Sequence, residues 1–373
     1  MGEKGNAAFT VAMLAAVILL FTVADFFAGD RLYSEAENRI LASRPEFTLQ
    51  GLFGGSFTSD YEEYVTDQFV GRDKWIAIKT MTEIALWKKE INGVYLGADG
   101  YLLEQHLPEQ YTVSQEAKKT AMLGRLAQDW NAMVMLVPTA DNVMRFRLPP
   151  NAPSYDQRRL LERASQMVDD SRYVDVYQAL QGHAQEEIYY RTDHHWTSLG
   201  AYYGYLAWAE KTGKEPFPYQ VTNMVTVSED FLGTLHSRLN LDWRKDRIQY
   251  FRETDQQAVQ VVYDLQTQKD SCYEPAYLET KNQYGFFLDD NHAFIEIHTE
   301  NRNGESLFVL KDSYANCFIP LLLPHYEHIY VVDLRYFKGR LYGLMEQYGT
   351  RKEMDVLVLY NCVHFLEDFW YAE

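Results

Sequence analysis

Polar and apolar positions split the chain into one unbroken apolar block and a long patterned remainder. Residues 7–24 read AAFTVAMLAAVILLFTVA, without a charge. As a helix this run is about 27 Å long, close to the hydrocarbon thickness of a bilayer. Lys4 and the free amine precede it, and Asp25 and Asp30 follow it, a bias that keeps the N-terminus in the cytoplasm. The alternative is a cleavable signal peptide, because Thr22, Val23 and Ala24 offer a small-residue cleavage site. The apolar run exceeds the usual signal length, so an uncleaved single-pass anchor is expected. On either reading, everything after about Asp30 works outside the cytoplasm.

Beyond the block, residues 31–45 are polar and suit a stalk. Residues 59–90 carry Tyr64, Phe69, Trp75, Ile76, Ile84 and Leu86 at helical spacing among charges. Residues 92–103 read as two short strands meeting at Asp99-Gly100, a hairpin signal. The pattern then alternates. Helical periodicity covers 113–131, 156–168, 198–212, 315–323 and 339–349. Short continuous apolar runs at 133–137, 306–310, 328–334 and 355–360 suit strands buried on both faces, and 173–177 is a further short strand candidate. Strands alternating with helices predict an α/β domain: a mostly parallel sheet flanked by helices. The alternation breaks between about 216 and 304, where short β-like pieces such as 258–265 and 293–297 dominate. The expected layout is an anchor or signal peptide at 1–30, a stalk and helical segment at 31–90, and an α/β domain at 91–373 with a β-rich insertion at about 216–304.

Composition narrows the functions. The formal net charge of -18 repels polyanions, and no Lys/Arg run appears, which sets nucleic acid aside. Tyr contributes 28 residues, and rings with a polar tip suit a wet, sugar-binding cleft as well as they suit a core. The three cysteines, Cys272, Cys317 and Cys362, are far apart and outside any Cys/His cluster, so no structural metal site is expected.

Candidate chemistry gathers beyond the carboxyl ends of the strands. Ser313 directly follows the 306–310 strand and opens a helical stretch, where neighbouring backbone N–H groups can stabilise an oxyanion. An N-cap serine is the bland alternative. Upstream stands Asp193-His194-His195-Trp196. If this stretch is extended, residues two apart face the same way with Cα atoms about 6.6 Å apart, so Asp193 can orient His195. His195 can then deprotonate Ser313, Trp196 walls the site, and His194 points away in a structural role. Past the 133–137 and 355–360 strands, Asn142 and Asn361 are candidate oxyanion donors. Asp-His-His also opens a signature of manganese-dependent phosphoesterases, but only Asp312 and Asp333 stand at other strand ends. His292, His298, His325 and His328 lack ligand spacing. No GxSxG elbow, P-loop, HExxH or GxGxxG is present.

Asp193-His194-His195-Trp196 together with Lys311-Asp312-Ser313-Tyr314-Ala315-Asn316 resembles the DHHW protein family and, more distantly, alginate O-acetylation proteins of the AlgJ/AlgX type. Supporting likeness lies in Glu37-Asn38-Arg39, Asp67-Gln68-Phe69 to Arg72, residues 92–103, Val137-Pro138-Thr139, residues 189–200 and Gly233-Thr234. The resemblance implies an SGNH-hydrolase-like fold with permuted motif order, and a Ser313, His195, Asp193 triad. Tyr314, Asn316, Asn142, Asn361 and Trp196 stand as oxyanion or substrate-binding candidates. It implies acetyl transfer to or from polysaccharide hydroxyls outside the cytoplasm, with no cofactor or metal. A multi-pass membrane O-acyltransferase of MBOAT type is the implied acyl supplier. Lys311 stands where the Gly of Gly-Asp-Ser usually sits, and no Gly-x-Asn-Asp block is present. The alternatives are a non-catalytic glycan-binding envelope protein and a metal phosphoesterase.

Overall fold

The computed structural model describes residues 3–34, 36–37, 39–241 and 243–372. Asn38, in the middle of one quoted motif, lies outside the described residues. The chain divides into a smaller unit of Met1–Lys88 with Ser237–Asp242, and a larger one of Lys89–His236 with Trp243–Glu373.

In the smaller unit a helix runs over Glu3–Ala28. Its 23-residue stretch Asn6–Ala28 is long and apolar enough to cross a membrane, and none of its most apolar window is buried. The helical periodicity at 59–90 resolves into two helices, Ser56–Gln68 and Arg72–Ala85. The break falls at Gly71, whose φ of 68° is in the left-handed region that glycine tolerates. Three motif residues meet beside this break. The buried Asp67 carboxylate accepts from Arg39 Nη1 (2.7 Å) and from the Ala42 amide (2.8 Å), and Arg39 Nε donates to Glu37 (2.8 Å). The Arg39 hydrogen bond holds the Asp67 pKa below the ordinary carboxylate value, against the opposing effect of burial.

The larger unit is built on a seven-stranded mixed sheet. Its strands are β1 (Met133–Val137), β2 (Val259–Tyr263), β3 (Thr267–Lys269), β4 (Phe294–Thr299), β5 (Ser306–Lys311), β6 (His328–Asp333) and β7 (Met354–Asn361). Their order across the sheet is β3-β2-β4-β6-β5-β7-β1. β6, β5, β7 and β1 are mutually parallel, with Leu310 opposite both Val332 and Val358. β4, β2 and β3 extend one edge antiparallel. The expected α/β architecture with a helix-flanked sheet is therefore present, and its parallel part is the four strands read from continuous apolar runs.

Those runs are apolar throughout because both faces are covered. Leu307 and Val309 of β5 pack into a cluster with Ala201, Tyr205 and Trp208 of the helix Ser198–Thr212. Phe308 and Leu310 pack into the opposite cluster with Leu123, Leu126 and Leu160 from the helices Val113–Trp130 and Arg158–Val168. Truncating such a fully buried leucine to alanine costs about 2–5 kcal/mol.

Residues 173–177 are not a strand. Tyr173 makes a single bridge to Val134, and a helix starts at Val176, capped by Asp175. The Asp99-Gly100 turn does form, with both residues at positive φ, within a three-stranded sheet of Glu90–Ile91, Val94–Leu96 and Leu102–Glu104. Residues 216–304 donate β2, β3 and β4 to the main sheet and a separate hairpin, Met224–Phe231 paired with Asp246–Phe251.

Candidate active site

The site is assembled at the carboxyl edge of the parallel strands, where β5 ends and its chain turns. Asp312 caps a short helical turn, Ser313–Cys317, by accepting from the Tyr314 amide (3.0 Å). Its other oxygen accepts from the Asn361 amide at the end of β7 (2.9 Å) and faces His364 Nδ1 (3.0 Å). Asp312 thus latches two adjacent strand ends together. Burial opposes its charge, but the His364 hydrogen bond and its other contacts hold its pKa below the ordinary value. Ser313 is the first residue of the turn, where an amide has no carbonyl partner inside the helix.

The Asp193–Trp196 segment is a loop without regular structure, closed at its base by an antiparallel bridge between Tyr189 and Trp196. The expected extended geometry is absent. Asp193 and His195 meet instead because the loop curls: the His195 amide donates to Asp193 Oδ1 (3.0 Å), an Asx-type turn. The same Oδ1 lies 2.5 Å from His195 Nδ1, and His195 Nε2 lies 2.8 Å from Ser313 Oγ. Asp193, His195 and Ser313 form one buried hydrogen-bonded line. Burial would raise the Asp193 pKa, yet the two histidines and the loop's hydrogen bonds hold it far below the carboxylate range.

His194 does not point away, as alternation along an extended chain predicts. The curl brings its ring against His195 at 3.9 Å between centroids, with the planes tilted by 36°. The opposite face of His195 lies on Tyr284 at 3.8 Å, with the rings 11° from parallel. Tyr284 also donates to the Ser313 carbonyl (3.1 Å). Trp196, expected as a wall, is fully buried, and its indole N–H donates to the Tyr314 carbonyl (2.7 Å). Gly204 on the following helix makes room for it: a Cβ there would stand 2.9 Å from the indole. Tyr314 returns the contact through its hydroxyl to the His194 carbonyl.

A clamp from the 216–304 segment holds the loop. The Thr234 amide (2.9 Å) and hydroxyl (3.1 Å) donate to Asp193 Oδ2. A Cβ on Gly233 would fall 2.3 Å from both the Cβ and Oδ2 of Asp193, so only glycine fits. Asp246 accepts from the Arg191 amide (2.9 Å), the Thr192 amide (2.7 Å) and the Thr192 hydroxyl (2.6 Å). Burial nevertheless raises the Asp246 pKa to about 6. Gly233-Thr234 carried a sequence signal through the family resemblance. Asp246, Tyr284 and His364 carried none.

The remaining candidates have their polar groups engaged elsewhere. Asn142 donates to Asp141 (3.2 Å) and the Tyr155 carbonyl (3.0 Å), beside a buried His106–Asp141 pair (3.3 Å). Asn316 accepts from Lys311 Nζ (2.7 Å) and donates to the Asp290 carbonyl (3.0 Å). Asn361 caps the helix Cys362–Asp368 through its Oδ1. Lys311 is fully buried, and desolvation pushes its pKa down despite Asp333 at 3.5 Å.

Asp193, His194 and His195 also place one donor atom each within 4.8 Å, a spacing open to a metal ion. The donors fit hydrogen bonding better. Two atoms ligating one zinc-sized ion stand about 3.3 Å apart, given bonds of about 2.0 Å. The Asp193–His195 contact is 2.5 Å. Asp312 is committed to two backbone amides, and Asp333 is paired with Arg335 (2.6 Å), so neither supplies the further carboxylates a metal phosphoesterase needs.

The DHHW protein family model matches residues 101–332. No curated protein matches the chain. Among solved structures, a DHHW family protein from Eubacterium siraeum DSM 15702 is 26% identical, with 74% of this chain and 93% of that chain covered and a TM-score of 0.62. Bacillus cereus PatB1, solved with a sulfonyl adduct, is 21% identical, with 74% and 97% covered and a TM-score of 0.59. The O-acetyltransferase domain of Pseudomonas putida AlgJ is 15% identical, with 74% and 92% covered and a TM-score of 0.46.

Proposed function

The chain belongs to the DHHW protein family, and on that footing we propose that it is a serine-dependent O-acyltransferase or esterase acting on polysaccharide hydroxyls outside the cytoplasm. The observation that carries this reading is the continuous line from Asp193 through His195 to Ser313, with contacts of 2.5 and 2.8 Å. Ser313 Oγ attacks the acyl carbonyl, and its proton passes to His195 Nε2. Asp193, held ionised, steadies the imidazolium. The Ser313 amide is one oxyanion donor. Collapse expels the donor alcohol, which takes the proton from His195. An acceptor hydroxyl, or water, then attacks the acyl-serine and gives its own proton to His195. The carbonyl carbon releases Oγ, and the proton returns there.

Acetyl is the acyl group that the family resemblance implies. The apolar helix Glu3–Ala28 supports a single-pass anchor, with the larger unit on the outer side. A multi-pass membrane O-acyltransferase that supplies acyl groups and a polysaccharide acceptor complete the proposal.

Changing Ser313 to Ala tests it. Hydrolysis of p-nitrophenyl acetate by the full chain should fall by about 10⁴-fold or more, and fluorophosphonate labelling should vanish while the thermal midpoint holds. Retained labelling would reject Ser313 as the nucleophile.

A further inference from the structure

His194 takes no part in the proton relay described above, yet it is held as firmly as the groups that do. Its Nδ1 lies 2.8 Å from the Thr234 hydroxyl. That hydroxyl has one proton, and it donates it to the ionised Asp193 Oδ2 at 3.1 Å. Thr234 Oγ can therefore only accept from His194, so the ring carries its proton on Nδ1. Asp193 Oδ1, 3.8 Å from the same Nδ1, favours that tautomer as well. Asp193 thus fixes two imidazoles, one directly and one through Thr234.

Geometry decides where the second imidazole looks. Both Nδ1 atoms turn toward Asp193, and the rings lie 3.9 Å apart between centroids with planes tilted by 36°. His195 Nε2 faces away from Asp193, where it meets Ser313, and with its own Nδ1 toward Asp193 the neighbouring His194 ring carries its Nε2 away from Asp193 as well. His194 Nε2 makes no hydrogen bond among the described residues, and it is not among the buried unsatisfied atoms. The side chain is 21% exposed. Burial and the neighbouring His195 push its pKa down to about 3, so the ring stays neutral and the lone pair stays available. His364, whose ring centroid is 5.8 Å away, stands beside it.

We propose that His194 Nε2 is the acceptor subsite of the active centre: it accepts a hydrogen bond from a second hydroxyl of a polyol whose first hydroxyl attacks the acyl-serine. The reacting proton must go to His195. A group binding through His194 therefore does so with a different hydroxyl of the same molecule, the two imidazoles being 3.9 Å apart between ring centroids. The subsite selects polyols, carbohydrates above all, over simple alcohols and water. This inference rests on the proposed acyl-serine chemistry.

The test is the partition of the acetyl-enzyme formed by the full chain from p-nitrophenyl acetate, with glycerol and 1-propanol as competing acceptors. Wild type should favour glycerol. Changing His194 to Leu should cut the glycerol-to-propanol ratio about tenfold, the value of one hydrogen bond. The same change should lower the acetylation burst by less. His194→Gln, which keeps an acceptor near the Nε2 position, should restore part of the selectivity. Equal selectivity in wild type and His194→Leu overturns the subsite, as does a wild type that shows no preference for glycerol. Fluorophosphonate labelling that survives in Ser313→Ala overturns the Ser313 reading instead, so the two failures are separable.

Discussion

The two halves of the proposed catalytic line are held by opposite means. Ser313 sits at the end of β5, a central strand paired on both sides, and its position follows from backbone ladders. Asp193 and His195 ride on a loop with no ladder of its own beyond one bridge, and groups of Thr234 and Asp246, 41 to 55 residues downstream of their partners, hold it. A ladder spreads its load over many bonds. A clamp concentrates it on few, so single substitutions should be far more damaging on the loop side.

The largest effect should come from Gly233→Ala, because the new Cβ claims the space of the Asp193 carboxylate. We expect kcat to fall about a thousandfold or more, near the cost of losing the acid of such a triad, with the burst of acyl-enzyme lost in stopped-flow traces. Next is Asp246→Asn, which leaves one of three clamped donors facing an amide N–H. A drop in kcat of about 10- to 100-fold at little change in KM is expected, since a misplaced base hurts the transition state most. Asp312→Asn makes the matching cut on the strand side. Because the β5 ladder survives, kcat should stay within about tenfold of wild type while the thermal midpoint falls by about 4–8 °C or less. A larger kcat loss at Asp312 than at Asp246 would reverse the comparison.

The smallest effect separates the clamp by pH. Burial raises the folded pKa of Asp246 to about 6, above its unfolded value of about 3.9. The native state binds this proton more tightly than the unfolded chain. Its contribution is therefore fully present below about pH 4 and is lost as pH rises through about 6. Relative to Asp246→Asn, wild type should lose on the order of 2–3 kcal/mol across that window in urea melts. A flat difference would mean the three donors hold the carboxylate ionised throughout.

The same contrast explains what was readable in the sequence. β1, β5, β6 and β7 were legible because strands buried on both faces leave continuous apolar runs. Ser313 followed from its place after such a run. Asp193 and His195 were legible as residues, but not their geometry, because an Asx turn between them has no periodicity to read. Asp246 stands in a charged stretch, Arg244-Lys245-Asp246-Arg247, where nothing marks one carboxylate as buried. Tyr284 is one of 28 tyrosines, and its stacking on His195 depends on chain folding back across 89 residues. The antiparallel strands β2 and β4 fall in the segment that reads as an insertion because their pairing is antiparallel and nonlocal.

The stack around His195 has a kinetic consequence. With Tyr284 against one face and His194 against the other, the imidazole is gripped like a card between two plates. Rotation would also break the hydrogen bonds at both of its nitrogens. On the proposed mechanism, His195 then cannot turn between half-reactions, and one nitrogen serves the departing alcohol and then the arriving one from the same spot. The two alcohols must take turns there: the first leaves before the second enters, and each competes with the other for the vacancy.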